Sequence, residues 1–192
     1  LLDIQKQELK TAFKKTYSDL AQATQKIMQD NGRTMLGVCE YGDYNCIRDK
    51  YAAHLNVVKS CDFGATFGNC WNGKNDFKFL NDTLPPTDTW DDFPGLVLNN
   101  GSMLRIAWLS SVCKDNTFSP RGECGFIAID VNGLKKPNIV GRDIFWVHIY
   151  DNGIAPWGNP DDEANGSSKA ASCKKNNTGF GCAALVLQGK DY

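Results

Sequence analysis

Residues Gly125–Gly158, GFIAIDVNGLKKPNIVGRDIFWVHIYDNGIAPWG, decide how the rest of the chain is read. They hold two β-patterned runs, Phe126–Val131 and Ile144–Tyr150. In the second run Phe145, Val147 and Ile149 alternate with Trp146, His148 and Tyr150, the period-two pattern of a strand with two different faces. Between the runs, Asn132-Gly133, Pro137-Asn138 and Gly141 are turn formers. The expected geometry is two neighbouring antiparallel strands joined by an ordered loop too long for a minimal hairpin.

Immediately upstream, Gly95–Ser110 contains the clearest hairpin, Leu96–Leu98 and Met103–Trp108 turned at Asn100-Gly101. At the start of the chain, Leu9, Phe13, Tyr17, Leu20, Thr24 and Ile27 recur at spacings of three and four, predicting an amphipathic helix from Ile4 to about Gln29. Asp30-Asn31-Gly32 supplies its stop. A second helix is expected over Asp43–Val58, capped by Asp43, with Ile47, Tyr51, Leu55 and Val58 on one face. Residues 72–94 read as a turn-rich surface loop and 159–175 as a polar, flexible one; Ala183–Leu187 suits a final strand. The predicted class is α+β, a long N-terminal helix packed on an antiparallel sheet of four to five strands. A single domain spans 1–192: a helix stem (1–30), a loop region with a short helix (31–94), then the sheet and a C-terminal loop (95–192). The helix starts without a cap, as expected of a segment cut from a longer helix.

Composition narrows the function classes. A formal net charge of −1 offers no electrostatic case for a nucleic-acid partner. No run of roughly 20 apolar residues is present to cross a bilayer, and Leu1-Leu2 runs at once into polar residues, unlike a secretory signal. Eight cysteines, Cys39, Cys46, Cys61, Cys70, Cys113, Cys124, Cys173 and Cys182, lack metal-ligand spacing and read as disulfides made in an oxidising, extracytoplasmic compartment. Eight cysteines allow 105 connectivities, of which sequential pairing is preferred for its short loops.

Few residues suit catalysis. Gly68-Asn-Cys70-Trp71 echoes the surroundings of a papain-type nucleophile, but Gly64 stands where that family has glutamine, and a half-cystine is the better reading of Cys70. No Gly-x-Ser-x-Gly, His-Glu-x-x-His or P-loop occurs, and the chain is expected not to be an enzyme. Trp146, His148 and Tyr150 form either a shallow aromatic recognition patch or, the preferred reading, a sheet face covered by the first helix or by the loop 159–172. Asp161-Asp162-Glu163 reads as a solvated loop. Asp130, Asn132 and Asp143 gather hard oxygens on a glycine-containing loop, as calcium prefers. Two readings stay open there: a turn held by backbone amides, placed first, and a structural calcium site, placed second. Lys135, Lys136 and Arg142 in the same loop offer positive charge without metal. No other cofactor is expected. Asn-x-Ser/Thr sequons occur at Asn81, Asn100, Asn165 and Asn176.

The order of parts resembles the soluble domain of type IV pilins and type II secretion pseudopilins. The resemblance is carried by Leu9–Leu20, similar to the exposed half of a pilin helix, by Asn99–Gly101 and the strand after it, and by Asp130–Gly133 through Gly141–Asp143. Cys173–Cys182 before Ala183–Leu187 looks like the family's C-terminal disulfide loop closing onto a last strand. It implies a non-enzymatic subunit of an extracellular filament or secretion machine. Such a subunit meets other pilin or pseudopilin subunits through an apolar helix N-terminal to this stretch, sits in the inner membrane before assembly, and has a methylated N-terminus in full-length form. The alternative is a stand-alone secreted adhesin binding carbohydrate or protein through Trp146, His148 and Tyr150 or the loop 159–172.

Overall fold

A computed structural model describes residues 2–86, 91–164, 166 and 168–192. The three- and four-residue apolar spacing winds α1 (Leu2–Asp30), and Phe13, Thr16, Leu20, Thr24 and Ile27 form its buried stripe, with Leu9 and Tyr17 partly buried beside it. The helix stops where Gly32 turns to φ 66° and the Arg33 N–H donates to the Met28 carbonyl at 2.7 Å. Asp43 begins α2 (Tyr44–Ala52) by accepting from the Cys46 N–H at 3.1 Å. The two helices meet at Thr24, whose hydroxyl lies 2.8 Å from that of Tyr51.

Six strands follow: β1 (Val57–Cys61), β2 (Gly95–Leu98), β3 (Met103–Trp108), β4 (Gly125–Asp130), β5 (Ile144–Tyr150) and β6 (Gly153–Pro156). They pair antiparallel in sequence order, a meander with β1 and β6 at its edges. Strands β3, β4 and β5 are buried along their whole lengths, so both faces of the sheet are covered. One face presents Leu104, Ile106, Ile127, Ile129, Phe145 and Val147 to α1, α2 and α3 (Cys182–Leu187). There the Phe13 and Phe145 rings stack at 4.3 Å. The other face presents Ala107, Phe126, Ala128, Ile144 and Trp146 to aromatic residues carried on loops: Trp71, Phe77, Phe79, Phe93, Trp157 and Phe180. Burying each such large side chain contributes about 1.5–3 kcal/mol, so the loops form a third layer rather than a coating.

Disulfides join Cys39 to Cys46, Cys61 to Cys70, Cys113 to Cys124 and Cys173 to Cys182. Each ties loop to element: the start of α2, the end of β1, the entry to β4, and the start of α3. Four bridges fit a chain that folds in an oxidising environment. Among the described residues, no helix is long and apolar enough to cross a membrane.

Several expectations need correction. The sheet has six strands, not four or five, because the short edge strands β1 and β6 carry weak patterns. The second helix ends at Ala52, and Val58, expected on its apolar face, belongs with Val57 to β1, where Val58 is 66% exposed. Their β-branched side chains suit a pleated edge, and Lys59 and Cys61 pair with Val97 and Gly95. The expected final strand over Ala183–Leu187 lies within α3. A five-residue apolar run has no periodicity to separate the two states; β6 already occupies the sheet edge beside β5, and alanines favour a helix. The loop 72–94 has a surface, but it also sends Phe77, Phe79 and Phe93 into the core.

Candidate functional site

The β4–β5 pair brings ionisable side chains together at both of its ends. Register matches Asp130 with Ile144, so the end of β4 lies beside the residue just before β5, and the Val131 N–H donates to the Asp143 carbonyl at 2.9 Å. Both side chains are fully buried. Asp130 Oδ2 accepts from Asn72 Nδ2 at 2.6 Å and its Oδ1 from the Asn132 N–H at 3.2 Å. Asp143 accepts from the Asn138 N–H at 2.8 Å and from the Ile139 N–H at 2.7 Å. The loop closes tightly enough for this because Gly133 takes φ 65° within a space where a Cβ would sit 2.7 Å from the Gly101 carbonyl. Burial, and then the neighbouring Asp143 charge, push the Asp130 carboxyl up to about 8; burial also raises Asp143.

Three side-chain oxygens at this node, Asn72 Oδ1, Asn132 Oδ1 and Asn138 Oδ1, are buried without a hydrogen-bond partner. The basic residues of the loop do not compensate the acids: Lys135, Lys136 and Arg142 are exposed, and among the described residues no ion pair joins them to Asp130 or Asp143. Asp130, Asn132 and Asp143 are thus together, as their spacing along the loop implied. Asn72 arrives from a segment 58 residues upstream and had no local signal to mark it. Asn138 had one, the Pro-Asn turn.

At the other end, Phe126 opposes His148, and the imidazole is held between two acids. Nδ1 lies 2.5 Å from Glu123 Oε2, and Nε2 lies 2.9 and 3.0 Å from the two oxygens of Asp162. All three residues are fully buried. Tyr150 and Trp157 stack on the imidazole at 5.1 and 5.3 Å, and Asp162 also accepts from the Gly158 N–H and from Asn159 Nδ2. Burial alone would lower the histidine pKa, but the hydrogen bonds to Asp162 and Glu123 outweigh it and raise it; with a carboxylate at each ring nitrogen, the geometry suits an imidazolium donating to both acids. Burial holds Glu123 up at about 6 despite the histidine. Outside, Arg121 lies over the Tyr150 ring at 4.3 Å and reaches Asp151 and Asp161.

This arrangement bears on three sequence readings. Trp146, His148 and Tyr150 are buried, as the preferred reading had it; their cover is Trp157, Asp162 and Phe180 with the loop before β4, and they offer no surface recognition patch. The acidic run expected to be solvated is split, with Asp161 and Glu163 exposed and Asp162 sealed under the sheet. Within the described part of the loop 159–175, short 3-10 turns at Pro160–Asp162 and Ala170–Ser172 turn Asp162 and Ser172 into the interior. Cys70 is bridged and fully buried, so its thiolate chemistry is unavailable. Of the sequons, Asn100 and Asn176 are exposed and Asn81 half-buried; Asn165 lies outside the described residues. Among the described residues, no three His, Cys, Asp or Glu side chains form a group that could hold a metal, so any cation at the Asp130 end must draw on amide oxygens. Compared with protein-family models, with curated proteins and with solved structures, the chain matches none.

Proposed function

We propose that this chain is the globular part of a non-enzymatic subunit of an extracytoplasmic filament or secretion machine, of the type IV pilin or pseudopilin kind. The observation that carries the reading is the 29-residue α1, laid with one face along an antiparallel meander and leading with an exposed Ile4, 63% accessible. At about 1.5 Å per residue such a helix runs to roughly 43 Å, long enough to serve as a spine. The four disulfides agree with assembly outside the cytoplasm. The commitment of His148 and Cys70 to buried structural roles agrees with a scaffold rather than a catalyst. In this reading the subunit meets its neighbours through an apolar extension of α1, which also holds it in the inner membrane before assembly.

The test is the N-terminus of the protein isolated from the cells that make it. Mass spectrometry should find an apolar segment with a methylated first residue continuous with Leu1. A mature N-terminus left by a signal peptidase just ahead of Leu1 would overturn the filament reading and favour a secreted binding module. The observation that favours this second reading is a hollow among Phe93, Phe118, Trp157 and Phe180, rimmed by Asp91 and Asp115.

A further inference from the structure

The loop layer on the second face of the sheet is packed with rings, yet it leaves a hollow of 330 Å³ lined by Phe93, Phe118, Phe126, Trp146, Trp157 and Phe180. Protein interiors are close-packed, and small-molecule sites are mostly apolar clefts of roughly 300–1,000 Å³. The lining is preformed. Phe118 stacks on Trp157 at 5.3 Å, and Phe126 stands at 87° to Phe118 and 86° to Phe93. The Phe118 carbonyl accepts from the fully buried Ser168 hydroxyl at 2.7 Å, which pins that ring's backbone. The mouth is acidic: the exposed Asp91 and the half-buried Asp115 line it, and no lining residue is basic. Among the described residues no ion pair takes up either carboxylate. Asp115 is held in place by the Thr117 N–H, which donates to its Oδ1 at 3.0 Å, and by backbone hydrogen bonds of 2.7 and 3.2 Å exchanged with Glu123. The buried Arg105 guanidinium lies over the Phe67 and Trp71 rings and donates to the Asp91 backbone carbonyl at 3.5 Å; it does not line the hollow.

We propose that this hollow binds a small alkylated ammonium compound of the choline kind. Two carboxylates without a basic partner call for a cation, and they repel an anion. The walls offer rings and Leu109 rather than a shell of oxygens, so a metal ion or a bare ammonium would lose its water without replacement. An alkylated ammonium holds its water weakly, presents methyl groups to apolar walls, and is attracted by aromatic rings. The size of the hollow admits a compact molecule and not a folded segment. Because the rings already brace one another, little ordering is needed when the ligand enters. The site takes up the hollow that favours a secreted binding module and gives it a ligand. It is compatible with a filament subunit as well, so its titration succeeds or fails independently of the N-terminus.

The experiment titrates the whole, disulfide-intact chain with choline chloride at matched, low ionic strength. Binding is read by calorimetry and by tryptophan fluorescence, since Trp146 and Trp157 line the hollow. One saturable site per chain should appear. The neutral analogue of choline, with a quaternary carbon in place of the nitrogen, should bind at least about tenfold more weakly. Phosphocholine should also bind more weakly than choline, because its phosphate meets the two acids. Asp91→Asn combined with Asp115→Asn should cut choline affinity at least about fivefold and leave the neutral analogue unchanged. Asp91→Asn alone, at an exposed position, carries the test should the double variant fold poorly, with a loss of about twofold to fivefold. The absence of saturable choline binding would overturn the proposal. So would equal affinity for choline and its neutral analogue, the mark of a merely apolar hollow, or tighter binding of phosphocholine. Undiminished choline affinity in the aspartate variants would overturn it too.

Discussion

At the Tyr150 end of β5, Glu123 and Asp162 are buried against an imidazole; at the Ile144 end, Asp130 and Asp143 are buried against amides. Both pairs are inaccessible to water, and both lie where loops fold over a fully buried strand. At one end the chain supplies its own cation, and Asp162 gains a backbone and an amide donor besides. At the other, N–H dipoles solvate the acids without neutralising them, and amide oxygens are left unpartnered. The lesson is that hydrogen bonding and charge compensation are separate requirements of a buried anion. Satisfying the first leaves the second to a proton or an ion.

The comparison breaks most directly at His148. His148→Gln keeps two donor or acceptor positions but removes the positive charge, leaving two buried carboxylates to repel. Denaturant titration should show a loss of roughly 3–5 kcal/mol. A loss below about 1 kcal/mol would show that neutral donors suffice at this end too. Phe13→Ala is the uncharged control: it empties the space against Phe145 and should cost about 3–5 kcal/mol, unchanged across mildly acidic and neutral pH.

A pH series sharpens the contrast further. Glu123 rises from 4.5 to about 6 on folding, and His148 rises above 6.5, so the folded state binds more protons than the unfolded chain. Stability should therefore be greatest in mild acid and fall as pH climbs from about 5 into the neutral range, by about 2 kcal/mol for the glutamate alone. In Glu123→Gln, the fall between about pH 4.5 and 6 should be smaller by the glutamate's share, while the parts due to the raised Asp130 and to His148 facing Asp162 remain. Rising stability over the same window would refute the imidazolium triad. The smallest effect is expected outside the seal, where Arg121 pairs with the half-exposed Asp151 and Asp161. Arg121→Ala should change stability by about 0–1 kcal/mol in low salt, and less as salt rises.

What was legible along the chain follows from short-range geometry. Alternation in Ile144–Tyr150, the Asn100-Gly101 turn and the three-and-four spacing from Leu9 to Ile27 each repeat a backbone period within a few residues. The sequence by itself therefore determined α1, the β2–β3 hairpin, the β4–β5 pair, the cap at Asp43 and the α+β class. It also set Asp130 beside Asp143, because strand register carries loop ends with it. Other features depended on which distant segment covers which face. Nothing near Asn72 marks it as a partner of Asp130, and nothing in Asp161-Asp162-Glu163 says that the middle acid turns inward to His148. Ala183–Leu187 became a helix because β6 had already closed the sheet edge. Only the tertiary structure decided these, since burial and charge compensation are properties of contacts between segments, whereas periodicity is a property of one segment alone.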